Sequence, residues 1–431
     1  VSRPNIIYLH THDTGRHIEP YGAPIRTPRL QQFAEESVVF RNAHSVAPTC
    51  SPSRAGLLTG QWAHTAGMLG LAHRGHRLRD YGRHLVHTLH RHGYTSALAG
   101  VQHEATGADA ATKIIGYHER LPVDQALAPA RRDAAVNYLR RDHDRPFFLS
   151  IGLQETHTMP STGWLFGHPG TDDRWNAPAP TMPDTMITRR DMASFQAAAL
   201  QVDQTLGAVL DTLQEQGLAE NTIVLVTTDH GLAMPGMKCT LGAAGTGVMM
   251  MLRGPGLPAG LAVDSLVSQV DVFPTLCALL DLESPSWLQG RSLLPALAGR
   301  PVRDETFAEI TYHVAYQPQR AIRTDRWLYV RSFDDWDRPR LPNVDASPSK
   351  KLWIDAGWAE QQTPTVRLHD LTLDPHELRN LADCPTAAAT RADLDRRLES
   401  WMTETDDPLL RGPVPPPAGF PPEPPGARSL R

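Results

Sequence analysis

Short apolar runs alternate with helix-period segments through the first three-quarters of the chain. The runs Asn5–Leu9, Thr95–Ala99, Pro146–Ile151, Thr222–Thr228 and Met249–Leu252 are apolar, several without strict alternation. That is the pattern of strands covered on both faces. Between them, Thr27–Glu36, a stretch beginning at Cys50, Arg83–His92, Arg131–Arg140 and Asp191–Gln216 carry apolar residues at helical spacing. Strands separated by helices predict an α/β fold, a large and mostly parallel sheet sandwiched by helices. In such sheets ligands sit beyond the carboxyl ends of the strands. Chemistry is therefore expected just after Leu9, Ala99, Ile151 and Thr228.

The pattern changes near residue 320. Arg320–Ser332 alternates like one solvent-facing strand, Val366–Leu371 adds another, and Thr386–Thr403 has the spacing of a closing amphipathic helix. The expected organisation is a catalytic α/β domain over 1–319, an α+β subdomain over 320–411 and a tail over 412–431. Eight prolines between Gly412 and Gly426 prevent the tail from being helical. Such a tail is extended and packs on a surface or a neighbour, which suits a homodimer contact.

Composition narrows the function classes. Lys plus Arg number 42 against 47 Asp plus Glu in 431 residues, a net charge of −5 without a basic run. This argues against nucleic-acid or membrane-surface binding by bulk charge. No apolar stretch reaches the ~18–20 residues of a spanning helix. The chain opens Val1-Ser2-Arg3-Pro4 and enters an apolar run directly. That fits a cytoplasmic protein, or a periplasmic or secreted one whose leader has been removed. The four cysteines match neither a zinc spacing nor a disulfide framework, and three of them read as small buried hydrophobes.

The fourth, Cys50, stands apart. Pro48-Thr49-Cys50-Ser51-Pro52-Ser53-Arg54 runs into the apolar Leu57-Leu58, which places Cys50 at a helix N-terminus with Arg54 one turn on. Free N–H groups there favour an anion, and a bare thiol in that position is a candidate low-pKa nucleophile. His12-Asp13 after the first strand and Asp229-His230 after the fourth put two carboxylates and two imidazoles at one sheet edge. These types can surround a divalent cation, though Asp-His-Gly alone is as much a turn signal.

Cys50-Ser51-Pro52-Ser53-Arg54 with Leu57-Leu58-Thr59-Gly60 resembles the signature of the type I sulfatases, members of the alkaline phosphatase superfamily. The resemblance extends through Thr27-Pro28, Phe40-Arg41-Asn42-Ala43, Asp144–Leu149, Leu368-His369-Asp370 and Trp401 with Asp406-Asp407-Pro408, nearest to the sulfamidase branch. It implies an alkaline-phosphatase-like fold and a sulfuric ester hydrolase acting on a sulfated small molecule or saccharide. It also implies that Cys50 is oxidised to formylglycine by a maturation enzyme and passes through a covalent sulfo-enzyme intermediate. Position by position, Arg54 holds the nucleophile and a sulfate oxygen. Lys238 contacts the sulfate and the leaving-group oxygen. His103 takes a proton from the second hydroxyl, and His157 protonates the leaving group. Asp13, Asp229, His230, residue 50 and, in place of an aspartate, His12 hold one divalent metal. Calcium is the expected ion. Mg2+ is an alternative, and the imidazole at position 12 makes Mn2+ or Zn2+ more plausible than in an all-oxygen site.

Three departures qualify the resemblance. His12 stands for an aspartate, Asp229-His230 for Asp-Asn, and Val101 for a lysine in the loop ending at His103. Arg16 is the expected replacement for that missing cation, and His64 is a weaker candidate for substrate contact. Glu155 is either an acid of the site or a support for His157. The competing functions are a phosphodiesterase or phosphonate monoester hydrolase on the same scaffold, and a non-catalytic binder of sulfated glycans.

Overall fold

The computed structural model describes residues 3–123, 128–159, 162–170 and 172–428. The strands of the large sheet are β1 (Asn5–Thr11), β2 (Val38–Phe40), β3 (Thr95–Gly100), β4 (Glu119–Arg120), β5 (Phe147–Gly152), β6 (Thr222–Thr228), β7 (Met250–Arg253) and β8 (Leu261–Val263). Their spatial order is β4-β3-β5-β1-β6-β7-β2-β8. Within it β7 alone is antiparallel to both its neighbours.

The unbroken apolar runs follow from burial on both faces. Ile6, Tyr8, Phe148, Ile223 and Leu225 face a layer holding Leu57, Leu58, Val86, Leu89 and Phe273. Ile7, Leu9, Leu149, Val224 and Val226 face the other layer, holding Leu30, Phe33, Leu139, Val202, Leu206 and Leu213. Each such side chain contributes roughly 1.5–3 kcal/mol by leaving water. The longest helix, Met186–Glu215, begins earlier than its apolar spacing indicates, because a capping box between Thr185 and Thr188 closes its first turn.

Register decides where the chemistry gathers. Thr11 pairs with Thr228, His10 with Gly152, and Gly152 with Gly100, so β1, β3, β5 and β6 all end at one edge. The strands approach so closely there that a Cβ on Gly152 would lie 1.9 Å from the Val101 carbonyl oxygen. Only glycine fits.

A second, antiparallel sheet follows, made of β9 (Glu305–Tyr312), β10 (Tyr316–Thr324), β11 (Trp327–Ser332) and β12 (Val366–Asp370). The alternation over Arg320–Ser332 therefore belongs to a hairpin and not to one strand. Its turn at Asp325-Arg326 keeps the polar and apolar rhythm going, which hides the break. The sheet begins at Glu305, so β10 runs across the boundary expected at 319/320. One face buries Phe307, Ile322, Tyr329 and Leu368 against Leu394, Leu398 and Trp401 of the helix Ala388–Glu404. The other face packs Ala308, Ile310, Leu328 and Val330 on Cys239 and Leu241.

The proline-rich segment returns onto the protein. Val414 N–H donates to the Tyr316 hydroxyl (3.1 Å), Glu423 N–H to the Val314 carbonyl (3.1 Å), and Leu341 N–H to the Pro425 carbonyl (3.1 Å). Residues 429–431 of the expected tail lie outside the described residues. Among the described residues no helix is long and apolar enough to cross a membrane.

Candidate active site

Cys50 is the first residue of the helix Cys50–Thr59 and is 2% exposed. Its Sγ lies 3.3 Å from His230 Nε2 and 4.0 Å from Asp13 Oδ1. The loops after β1 and β6 bring those partners. Asp13 adopts a left-handed backbone (φ 49°) that aspartate tolerates better than most residues, and its N–H donates to Asp229 Oδ1 at 2.9 Å. Asp13 Oδ1 lies 3.2 Å from His230 Nε2, while its Oδ2 accepts from Lys238 Nζ at 3.0 Å.

Arg54, one turn along the helix, is fully buried. It donates to Asp229 Oδ2 (3.0 Å) and the Thr11 carbonyl (2.9 Å), and it contacts His10. Burial alone would raise the Asp229 carboxyl. His230, Arg54, the Asp13 N–H and Lys238 outweigh it and hold Asp229 below the usual carboxylate range. Burial likewise works against the Lys238 ammonium, but Asp13 and Asp345 keep it charged, well above its ordinary value.

The surroundings of Cys50 bear on the bare-thiol reading. Burial pushes the thiol well above its ordinary range, and Lys238 and Arg54 do not offset that together with the carboxylates of Asp229 and Asp13.

His12 carries the test for a cation. Its side chain is 0% exposed and Nδ1 lies 3.2 Å from Asp229 Oδ2, yet among the described residues neither ring nitrogen has a hydrogen-bond partner. One ligand atom each from His12, Asp13, Cys50 and Asp229 lies within 4.8 Å of the others. Burying such groups without a partner is costly, so the donor set fits a divalent ion. Burial, then the charge of Arg54, holds the His12 imidazole well below its ordinary value and hence neutral, the form that ligates.

His103 and His157 arrive on the loops after β3 and β5, with ring centroids 4.4 and 5.6 Å from that of His12. Burial first, then Arg54, lowers His103 to about 3, so its imidazole stands neutral. His157 Nε2 lies 3.9 Å from Asp13 Oδ2. Glu155 is paired with Arg131 at 2.8 Å, a buried bridge behind the loop that holds His157.

Two expected contacts differ. The chain turns at Gly15, whose N–H is bound by the His230 carbonyl, and this sends Arg16 toward the Ala43 carbonyl (2.6 Å) and His44 (3.3 Å). Its charge does not stand in for a lysine at 101. His64 is 0% exposed and bonds Glu309 Oε1 and Thr405 Oγ1, each at 2.9 Å, so it has no surface to offer a substrate. Sequence spacing fixed the element but not the direction of either side chain.

Other residues had no signal in the sequence. Asp345, from the irregular segment after β11, bonds Lys238 Nζ at 2.8 Å. Its neighbour Asn343 accepts from Val314 N–H (2.9 Å) and Ala315 N–H (2.7 Å), which locks that segment to the turn between β9 and β10. Cys239 takes a left-handed backbone (φ 63°), and its N–H is bound by the Pro48 carbonyl at 3.0 Å, which fixes Lys238 against the segment leading into Cys50.

The loop edge of the α/β sheet thus presents Cys50 at a helix start, two buried cations and a carboxylate–imidazole cluster, the kinds of group that hydrolysis of a charged ester calls for. The sulfatase family model matches residues 4–282, and the chain belongs to that family of hydrolases. Among individual proteins, it is 28% identical to the human N-sulphoglucosamine sulphohydrolase, over 96% of this chain and 92% of that relative. An ulvan-active sulfatase of Formosa agariphila is 25% identical, over 94% of this chain and 76% of its own length. A structure solved with its substrate D-glucosamine-2-N,6-O-disulfate superposes with a TM-score of 0.73 at 18% identity, covering 96% of this chain and 99% of that one. A 2-O GAG sulfatase superposes at 0.75 with 21% identity, covering 95% and 94%.

Proposed function

We propose that the protein is a formylglycine-dependent sulfatase that cleaves a sulfate ester or sulfamate on a saccharide. The observation that carries the reading is the placing of Cys50. It starts a helix, is sealed from solvent, and stands 3.3 Å from His230 beside Asp13, with Arg54 and Lys238 bonded to the flanking carboxylates. A maturation enzyme would supply the aldehyde. One hydroxyl of the hydrated aldehyde attacks sulfur, the bond to the leaving oxygen or nitrogen breaks, and His157 gives that atom a proton. The second hydroxyl then yields its proton to His103, the bond between residue 50 and the sulfate breaks, and the aldehyde returns to be hydrated by water. Arg54 and Lys238 balance the sulfate charge. A divalent cation held by His12, Asp13, Asp229 and His230 would polarise a sulfate oxygen and ease loss of the nucleophile's proton. Calcium heads the candidates, and the two imidazoles favour manganese or zinc over an all-oxygen site.

Mass spectrometry of the Cys50 peptide tests the maturation. A sulfamate sugar, an aryl sulfate and an aryl phosphodiester assayed on one preparation test the reaction. The reading fails if Cys50→Ala turns over the best of the three at the unaltered rate.

A further inference from the structure

The groups of the site grade from sealed to open. Cys50, Asp13, Asp229 and Lys238 are at most 3% exposed. The side chains of His157 and Asp345 keep 24% and 20% of their exposure. Substrate therefore meets Lys238 from the side on which His157 and Asp345 stand. One ligand atom each of Asp13, His157 and Asp345 lies within 4.8 Å of the others, and Lys238 Nζ bridges the two carboxylates at 3.0 and 2.8 Å.

Lys238 already has a carboxylate partner in Asp13, so a second one at the mouth calls for another explanation. Only Oδ2 of Asp345 is engaged by Lys238, and Oδ1 makes no hydrogen bond among the described residues. The carboxylate is held rigidly. Asn343 binds the β9–β10 turn two residues before it, and Pro425 of the returning tail binds Leu341. A preorganised, half-open acceptor beside the leaving-group acid selects by hydrogen bonding and by charge, because a mismatched partner leaves buried polar groups unpaired.

We propose that Asp345 is a specificity-determining residue on the leaving-group side, accepting a hydrogen bond from a hydroxyl or ammonium next to the scissile sulfate and repelling a second anion there. The substrate class is thus a singly sulfated saccharide unit with a donor neighbour, in preference to one with an adjacent sulfate or carboxylate. This rests on the sulfatase reading above.

The test uses matured, metal-loaded enzyme and two probes, 2-hydroxyphenyl sulfate and 2-carboxyphenyl sulfate. The ratio of their kcat/KM values is compared between the unaltered enzyme, Asp345→Asn and Asp345→Ser. Intrinsic reactivity cancels in that comparison. The preference for the hydroxyl probe is expected to shrink by about tenfold or more in both variants, mainly through faster use of the carboxylate probe. A ratio unchanged while both rates fall together would show that Asp345 only steadies Lys238, and would overturn the proposal. If the unaltered enzyme cleaves neither probe, activity on aryl sulfate esters fails on its own, and the sulfatase reading stands or falls with the sulfamate-sugar assay above. Calorimetric Kd values for the same probes and proteins then decide the role of Asp345 by the same ratio, and a missing or unchanged preference overturns it.

Discussion

Arg54 reaches Asp229 across 3.0 Å in a region where neither side chain is more than 1% exposed. The same guanidinium binds the Thr11 carbonyl, so the helix of Cys50 is tied to the ends of β1 and β6 by one planar group. Lysine is a point charge and cannot make that fork. Arg54→Lys is expected to lower kcat/KM by roughly 100-fold or more, on the scale of losing a preorganised donor. It should also destabilise the fold by roughly 1–3 kcal/mol, because Asp229 Oδ2 and the Thr11 carbonyl lose their buried donor. Initial rates and urea titration check the two effects separately. A variant with near-normal turnover would remove Arg54 from the sulfate site.

The orphaned nitrogens of His12 predict a metal-dependent fold. Dialysis against a chelator should abolish turnover and lower the Tm, and resupplying a divalent ion should restore both. An ion at 100-fold its Kd stabilises by about 2.7 kcal/mol. His12→Asp should move the order of reactivating ions toward calcium, read by titrating each ion into the stripped protein. An unchanged Tm on stripping would exclude a bound cation at this cluster.

Asp191 gives a pH signature away from the site. Burial raises its carboxyl to about 6, against the hydrogen bonds from Ser349 that pull it down. The folded state therefore holds this proton more tightly than the unfolded chain. Its stability contribution is full below about pH 4 and is lost as pH rises through about 6, by roughly 3 kcal/mol. Asp191→Asn keeps an acceptor for Ser349 without the titration. The difference in Tm between variant and unaltered protein should grow in the variant's favour from pH 4 to pH 7. A flat difference across that range would refute the shift.

The cluster of His64, Glu309, Arg320 and Asp407 joins the region after the Cys50 helix to the second sheet and the end of the closing helix. His64 Nδ1 lies 2.9 Å from Glu309, and Arg320 binds Asp407 with its Nη2 at 3.0 Å from Oδ1. Asp407→Ala leaves a fully buried guanidinium without its strongest partner. A loss of about 3–5 kcal/mol is expected, visible as an early urea transition. Turnover per folded molecule should change far less, since none of these groups touches Cys50.

Much of this was legible in the sequence for a physical reason. Continuous apolar runs mark strands buried on both faces, and parallel register brings their carboxyl ends to one edge, which made His12-Asp13 and Asp229-His230 legible from the strands, whereas His103 and His157 were legible only through the family resemblance. The Cys50 motif was legible because its proline and arginine hold fixed helical offsets. Arg16 and His64 were misread because spacing says nothing about a side chain's direction after a turn. Asp345 was not found, since it lies in an aperiodic segment and is placed by Asn343 and the tail rather than by a strand. The hairpin of β10 and β11 was hidden by a turn that mimics alternation.

The returning segment from Val414 to Pro425 gives the protein a built-in order of assembly. A nascent polypeptide stopped before Gly412 would already contain every group assigned to bond cleavage, yet Val314 and Leu341 would lack the backbone bonds from Glu423 and Pro425 and would be held to each other through Asn343. Such a fragment would have its reactive machinery in place behind an unfinished doorway, so the groups that cleave and the strap that steadies their rim are encoded far apart.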